Sequence, residues 1–478
     1  MERHHLRRLG LVLVTLLIAT GALAATASAD DDRYTAGSFG LGDPFFPNAG
    51  NGGYDVESYD LDLDYTPASR ALAGKAFITA TATQDLDAFN LDLRAQDEEG
   101  HFYTVSRVAV GKDNGPTLKD MAFSHEGQEL TIVPRPKLKT GETFVVLVEY
   151  AGTAHEVTDP DDSIEGFVPT DDGAFVVSEP QGAPGWYPAN DIPTDKALFD
   201  ISITVPEGIT ALANGVLLSQ ETENGKTTWE WSHGMPMAPY LATATNGVFS
   251  LTVTELAGGI PSYVAVDPRR TNTAVLANIP AMMAFFSETY GPYPFDATGA
   301  IVDFAPHVGY ALETQTKANY SNTPGESTLA HEIAHEWFGN AVTLSNWPDI
   351  WLNEGFARLS EWLWLDHRGI RTAQQSFDIQ YARAATSSFW QIPPAALPGP
   401  EVLFSSPPYD RGGMTLHALR GKIGDMAFFQ LLRTWYADNK YGNVTTADFI
   451  ETAEEVSGMQ LDAFFDVWLF QPGKPTSW

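Results

Sequence analysis

The run Leu329-Ala330-His331-Glu332-Ile333-Ala334-His335-Glu336-Trp337 holds two imidazoles and a carboxylate at a spacing that can do chemistry. On a helix, His331 and His335 stand one turn apart on a single face. Two imidazoles so placed can hold one tetrahedral zinc and leave room for a third ligand and a water. Glu332, beside the first histidine, can reach that water as a general base. Nineteen residues after His335 comes Glu354, within Trp351-Leu352-Asn353-Glu354-Gly355-Phe356-Ala357. A following antiparallel helix there can deliver a carboxylate as the third ligand. Two histidines and a glutamate with an open fourth position describe a catalytic zinc rather than a structural one. A bare His-Glu-x-x-His also arises by chance, its histidines being hydrogen-bonded core residues. Here the helical context, the Asn-Glu-Gly-Phe-Ala block and an export signal accompany it, and His331, His335 and Glu354 are read as zinc ligands.

Residues 1–29 read as a secretory signal. Arg3, Arg7 and Arg8 make a positive start, and Leu9 to Ala24 is apolar except for Gly10, Thr15, Thr20 and Gly21. Ala27-Ser28-Ala29 supplies a small-residue cleavage site. The apolar run is too short for a membrane anchor, and nothing later reaches spanning length. With no cysteine in the chain, a lipidated cysteine is excluded and stability must come from cores rather than disulfides. The net charge is −33, or about −35 once the leader's residues are removed. Such a surface repels nucleic acid and anionic lipid, which argues against both as partners. The expectation is an exported, extracellular or periplasmic protein, monomeric and without a membrane span.

The remaining length suits two domains. Residues 30–249 read as a β-domain that opens with a Gly-, Asp- and Pro-rich leader to about residue 53. Tyr59-Asp60-Leu61-Asp62-Leu63-Asp64-Tyr65 alternates, so its carboxylates form one exposed strand face; a calcium loop would need a glycine that is missing. Phe77–Thr83, Phe144–Tyr150 and Phe199–Val205 repeat the theme between turn clusters, and a sandwich follows. Residues 250–478 read as mainly helical. Leu276, Ile279, Met283 and Phe286 fall at helical steps within 271–290. Further helices are expected at about 348–368, 412–435 and 446–469. Trp337, Trp347, Trp351, Trp362 and Trp364 surround the site helices and read mostly as core.

These motifs resemble the gluzincin aminopeptidases, the family of aminopeptidase N and leukotriene hydrolase. The gap from His335 to Glu354 matches the family's, as do Phe338-Gly339-Asn340-Ala341-Val342-Thr343 and the Asn353-Glu354-Gly355 block. Trp186-Tyr187-Pro188-Ala189-Asn190-Asp191, Lys196-Ala197-Leu198-Phe199-Asp200, Gly291-Pro292-Tyr293-Pro294-Phe295 and Tyr409-Asp410-Arg411-Gly412 extend the likeness over roughly residues 54–470. The resemblance implies a saddle-like all-β domain followed by a thermolysin-like, mainly α zinc peptidase domain. Many members add a helical C-terminal domain; this sequence leaves no room for it after Trp468-Leu469-Phe470, so a more open site is expected.

The resemblance also implies roles. A zinc-activated water would attack the peptide carbonyl while Glu332 takes its proton and passes it to the leaving amine. Tyr409 aligns with the family tyrosine that donates to the developing oxyanion. Glu361, seven residues after Glu354, shares its helix face and can orient a ligand histidine, or stand as a plain surface carboxylate. The family's Gly-x-Met-Glu-Asn strand, which binds the substrate's free amine, aligns with Tyr310-Ala311-Leu312-Glu313-Thr314; Glu313 survives while its neighbours differ. Glu179 aligns with a second amine-binding glutamate. The implied activity is a secreted aminopeptidase acting on peptides. The alternatives are a zinc endopeptidase, or broader hydrolase, with a relaxed need for a free N-terminus, and an inactive peptide-binding relative. Asn319-Tyr320-Ser321 and Asn443-Val444-Thr445 are glycosylation sequons that matter only if the source uses them.

Overall fold

The computed structural model describes residues 33–112 and 117–476; the signal read at 1–29 lies outside them. The strand Tyr54–Thr66 alternates as expected, with Tyr59, Leu61, Leu63 and Tyr65 buried and Asp60 and Asp62 exposed. It lies inside an eight-stranded sheet, antiparallel to Ala71–Ala82 and parallel to Ala197–Pro206. A four-stranded sheet containing Leu86–Asp92 and Glu129–Val133 shares its core: Phe89, Leu91 and Ile132 cluster with Ile78, Val146 and Val148. This is the expected packing of apolar sheet faces. A third, five-stranded sheet in this half contains Ile164–Pro169 and Ala174–Val177.

The segment read as a loose leader is docked. Thr35–Ala36 pairs in parallel with Leu86–Asp92. Asp43 is buried, accepts from the Phe45 and Phe46 amides through Oδ1, and accepts from the Trp347 amide at 2.8 Å through Oδ2. One carboxylate thus fastens this segment to the catalytic half. A Gly- and Pro-rich composition carries no period that could announce such docking.

The second half is mainly helical but holds a five-stranded sheet that the helical reading missed: Ser250–Glu255, Pro261–Val266, Thr298–Val302, Ala318–Tyr320 and Ala311–Leu312, in that order. These strands are short, and Thr298–Val302 is buried at every position, so no alternation betrays it. The helices are α1 (Ile279–Tyr290), α2 (Glu326–His335), α3 (Trp351–His367), α4 (Ala373–Tyr381), α5 (Gly412–Ile423), α6 (Asp425–Asn439), α7 (Thr446–Ser457) and α8 (Asp462–Phe465). Leu276, Ile279, Met283 and Phe286 are all buried. Helix α1 begins at Ile279 behind a 3₁₀ turn, with Pro280 in its first turn, where a missing N–H costs nothing. The region expected as one helix at 412–435 breaks at Gly424, whose φ is +81°. The one expected at 446–469 breaks at Gly458, φ +66°, in the left-handed cap conformation.

Trp337, Trp347, Trp351, Trp362 and Trp364 are all buried. Asn319 is buried too, its amide donating to Val176 O, Thr243 Oγ1 and Thr314 Oγ1, which closes that sequon in the folded protein. Among the described residues no helix is long and apolar enough to cross a membrane.

Candidate active site

Helix α2 carries His331, Glu332 and His335, and α3 packs against it with Glu354 in its first turn. The packing of α3 on α5 is close at a glycine pair: a Cβ on Gly355 would meet the Gly412 backbone at 2.9 Å. That approach brings the π turn Pro407–Arg411, and with it Tyr409, alongside His331, whose ring it faces at 5.8 Å and 17°. The buried Arg411 locks this turn by donating to the carbonyls of Trp390, Val467, Trp468 and Gln471.

Each imidazole spends Nδ1 on an anchor and turns Nε2 inward. His331 Nδ1 meets Glu361 Oε1 at 2.7 Å, and His335 Nδ1 donates to the Phe338 carbonyl at 3.0 Å. Such bonds fix ring orientation and leave Nε2 free to ligate. From Glu354 Oε2 to His331 Nε2 is 3.0 Å, and to His335 Nε2 3.5 Å. Tetrahedral donors around a zinc with bonds of about 2.0–2.1 Å stand about 3.3 Å apart. The two separations from Glu354 bracket that value, and one donor atom from each of the three residues lies within 4.8 Å of the others. Burial disfavours charge on both imidazoles, but hydrogen bonds with Glu354 and Glu361 raise His331 to about 10, and the Glu313 and Glu354 charges raise His335 to about 9. A field that favours cations at this point favours a divalent metal equally.

Around this set lies a cavity of about 350 Å³ lined by Glu179, Glu313, Glu332, Tyr409 and the metal-binding trio, with Asp161, Ser163, Tyr310, Ala311, Leu312 and Phe404. Burial pushes the Glu332 carboxyl up to about 7, the two histidines pulling against it. Glu313 is held up by burial, opposed by His335, whose Nδ1 is 3.7 Å from its Oε1. Glu179 is raised well above the usual carboxylate range, first by burial and then by the Glu313 charge. One oxygen from each of Glu179, Glu313 and Glu354 lies within 4.8 Å of the others. Oε1 of Glu179 and Oε1 of Glu313 are buried without a hydrogen-bond partner among the described residues.

The structure thus brings together every site residue named from the sequence, with Glu361 against His331. Tyr310 lines the same cavity, and its hydroxyl donates to Ile164 O at 2.9 Å in the β-domain. Asp161, Ser163 and Phe404 escaped the sequence reading. Phe404 stands five residues before Tyr409 and was findable from it, whereas Asp161 and Ser163 sit on a distant loop with no motif of their own.

Two family models match the chain, the peptidase M1 N-terminal domain over residues 55–241 and the peptidase family M1 domain over residues 302–468. The chain belongs to peptidase family M1. The M1 family is one of zinc metallopeptidases, and zinc is its cofactor. Among M1 relatives, glutamyl aminopeptidase of Sus scrofa is 29% identical over 325 residues, covering 62% of this chain and 34% of that protein. Aminopeptidase N of Lactococcus lactis subsp. lactis is 26% identical over 463 residues, covering 88% and 51%. The chain therefore spans about a third to a half of the curated relatives it matches. Among solved structures, an M1 zinc metallopeptidase from Deinococcus radiodurans superimposes with a TM-score of 0.82 at 28% identity, covering 92% of this chain and 98% of that one. An alanine mutant of that protein, bound to a Tyr-Ser-Ala substrate, gives 0.81 at 28% identity, with 92% and 98% covered.

Proposed function

We propose that this M1 chain is a secreted zinc aminopeptidase that releases N-terminal residues from peptides. One observation carries the reading: Glu179 and Glu313 are buried beside the metal-ligand set, each with a carboxylate oxygen that no hydrogen bond among the described residues satisfies. Two such carboxylates are costly unless a cation meets them, and the protonated amine of a peptide's first residue is the cation that sets exopeptidases apart. An internal amide offers no such charge.

His331, His335 and Glu354 would hold the zinc. When bound, it supplies a Lewis acid that acidifies a water to a pKa of ~7 and polarises the peptide carbonyl. Glu332 takes the proton of the attacking water, a task suited to a carboxylate that burial has moved to about 7. The same oxygen returns that proton to the leaving amine. Tyr409, on the cavity wall, donates a hydrogen bond to the oxyanion as it develops, an interaction worth ~3 kcal/mol in comparable sites. Glu313 and Glu179 hold the substrate amine, so that the first peptide bond is the one presented. Export rests on the leader read at residues 1–29.

The test is direct. Zinc-loaded protein, incubated with one peptide in free and N-acetylated form, should shorten the free form stepwise from its N-terminus and leave the acetylated form intact. Internal cleavage of both by mass spectrometry would instead make the protein an endopeptidase.

A further inference from the structure

The cavity holds one carboxylate more than the reaction uses. Five line it, Asp161, Glu179, Glu313, Glu332 and Glu354, and among the described residues no lysine or arginine does. Glu354 goes to the metal, Glu332 to the water, and Glu313 and Glu179 to the amine. Asp161 has no such task. It lies on the loop between the strands Glu156–Thr158 and Ile164–Pro169, and its Oδ1 accepts from the amide and hydroxyl of Ser163 at 3.0 and 2.6 Å. No basic side chain pairs with it among the described residues.

Tyr310 fixes how this carboxylate stands to the amine anchor. It is three residues before Glu313 on the same segment, and its hydroxyl bonds Ile164 O, three residues after Asp161. The ring therefore spans from the strand that presents Glu313 to the loop that presents Asp161. An extended lysine or arginine side chain has about the length of that ring. Tyr310 and Phe404 are both only half-buried on the cavity wall, which leaves aromatic faces along which a guanidinium or an alkyl ammonium stem can lie. The field at Tyr310 agrees: its hydroxyl is held protonated well above its ordinary range, first by burial and then by Glu165, Asp159, Glu179 and Asp161.

We infer that Asp161 selects peptides whose first residue is lysine or arginine, pairing with that side chain while Glu313 and Glu179 hold the amine. The inference rests on the aminopeptidase reading above and names its substrate class. Lysine and arginine place a second positive charge one side-chain length from the first, comparable to the reach of the Tyr310 ring between the two segments. A leucine leaves Asp161 uncompensated but still solvated, and a glutamate meets like charge.

The experiment uses the full zinc-loaded chain with reporter amides of Arg, Lys, Leu, Ala and Glu, and an Ala-Arg dipeptide amide. Wild type should cleave Arg and Lys with kcat/KM roughly tenfold above Leu, and Glu least. Asp161→Asn keeps an oxygen for Ser163 and removes only the charge. It should lower Arg and Lys about tenfold and change Leu less than about twofold. Asp161→Lys should reverse the order of Arg and Glu. Leu or Ala cleaved as well as Arg by wild type, an equal loss on all substrates in Asp161→Asn, or a basic preference confined to the second residue would each overturn the inference and leave the aminopeptidase standing. Failure to cleave any free aminoacyl substrate would overturn both.

Discussion

Oε1 of Glu361 lies 2.7 Å from Nδ1 of His331, and Nη1 of Arg358 holds both oxygens of that carboxylate at 2.8 and 3.0 Å. The metal-facing nitrogen of His331 is thus aimed by a residue seven positions along α3 from Glu354, itself clamped by an arginine one turn back.

Glu361→Ala should weaken zinc binding by about 10- to 100-fold without unfolding the protein, since the ligand set is intact but one ring is free to turn. Competition against a chelating dye measures it, and Glu361→Gln should recover part of the loss. Zinc affinity equal to wild type in Glu361→Ala would reduce this contact to a buried ion pair with no bearing on the metal.

Glu332→Gln should bind zinc stoichiometrically yet lose kcat by about 10²- to 10⁴-fold, because the donors remain and the base does not. Chelation of the wild type should abolish turnover and lower the melting temperature, and zinc should restore both. Near-full activity in Glu332→Gln would remove it from the reaction.

Asp92 offers a pH signature independent of the metal. It is fully buried, accepts from the Gly50 and Asp191 amides at 3.2 and 2.9 Å, and is pushed by burial up to about 7. A carboxyl raised in the folded state keeps its proton where the unfolded chain, at about 3.9, has lost it. Its contribution is therefore fully present below pH 4 and is lost as pH climbs to 7. Replacing it by Asn, which keeps an acceptor and never ionises, should gain about 2–3 kcal/mol relative to wild type between pH 5 and pH 8. Urea midpoints of both proteins, at fixed zinc, give the difference; the same offset at both pH values would contradict the assignment.

Much of the site was legible because its chemistry is local. His331, Glu332 and His335 sit within two helical turns, and Glu354 and Glu361 within two more, so a period of 3.6 places them without knowledge of the fold. Glu313 and Glu179 were found through the resemblance alone, since each stands on a short irregular segment. Asp161 is 170 residues from His331 and reaches the cavity on a β-domain loop whose following strand is hydrogen-bonded by Tyr310. No window along the chain contains that contact. The same limit hid the five-stranded sheet of the catalytic half, whose wholly buried strand Thr298–Val302 has the pattern of any short apolar run. Gly424 and Gly458 stopped two helices whose apolar period resumes beyond them, a break that periodicity alone reads through.

Whether Glu313 meets the substrate's free amine is read from kcat/KM on a matched pair of free and N-acetylated peptides, for wild type and Glu313→Ala. Removing one partner of a desolvated charge pair costs ~2–5 kcal/mol, which corresponds to a loss of roughly thirty-fold or more. That loss is expected on the free peptide, with the slow cleavage of the acetylated one barely changed. Equal rates on both peptides in wild type, slowed equally by Glu313→Ala, would contradict it.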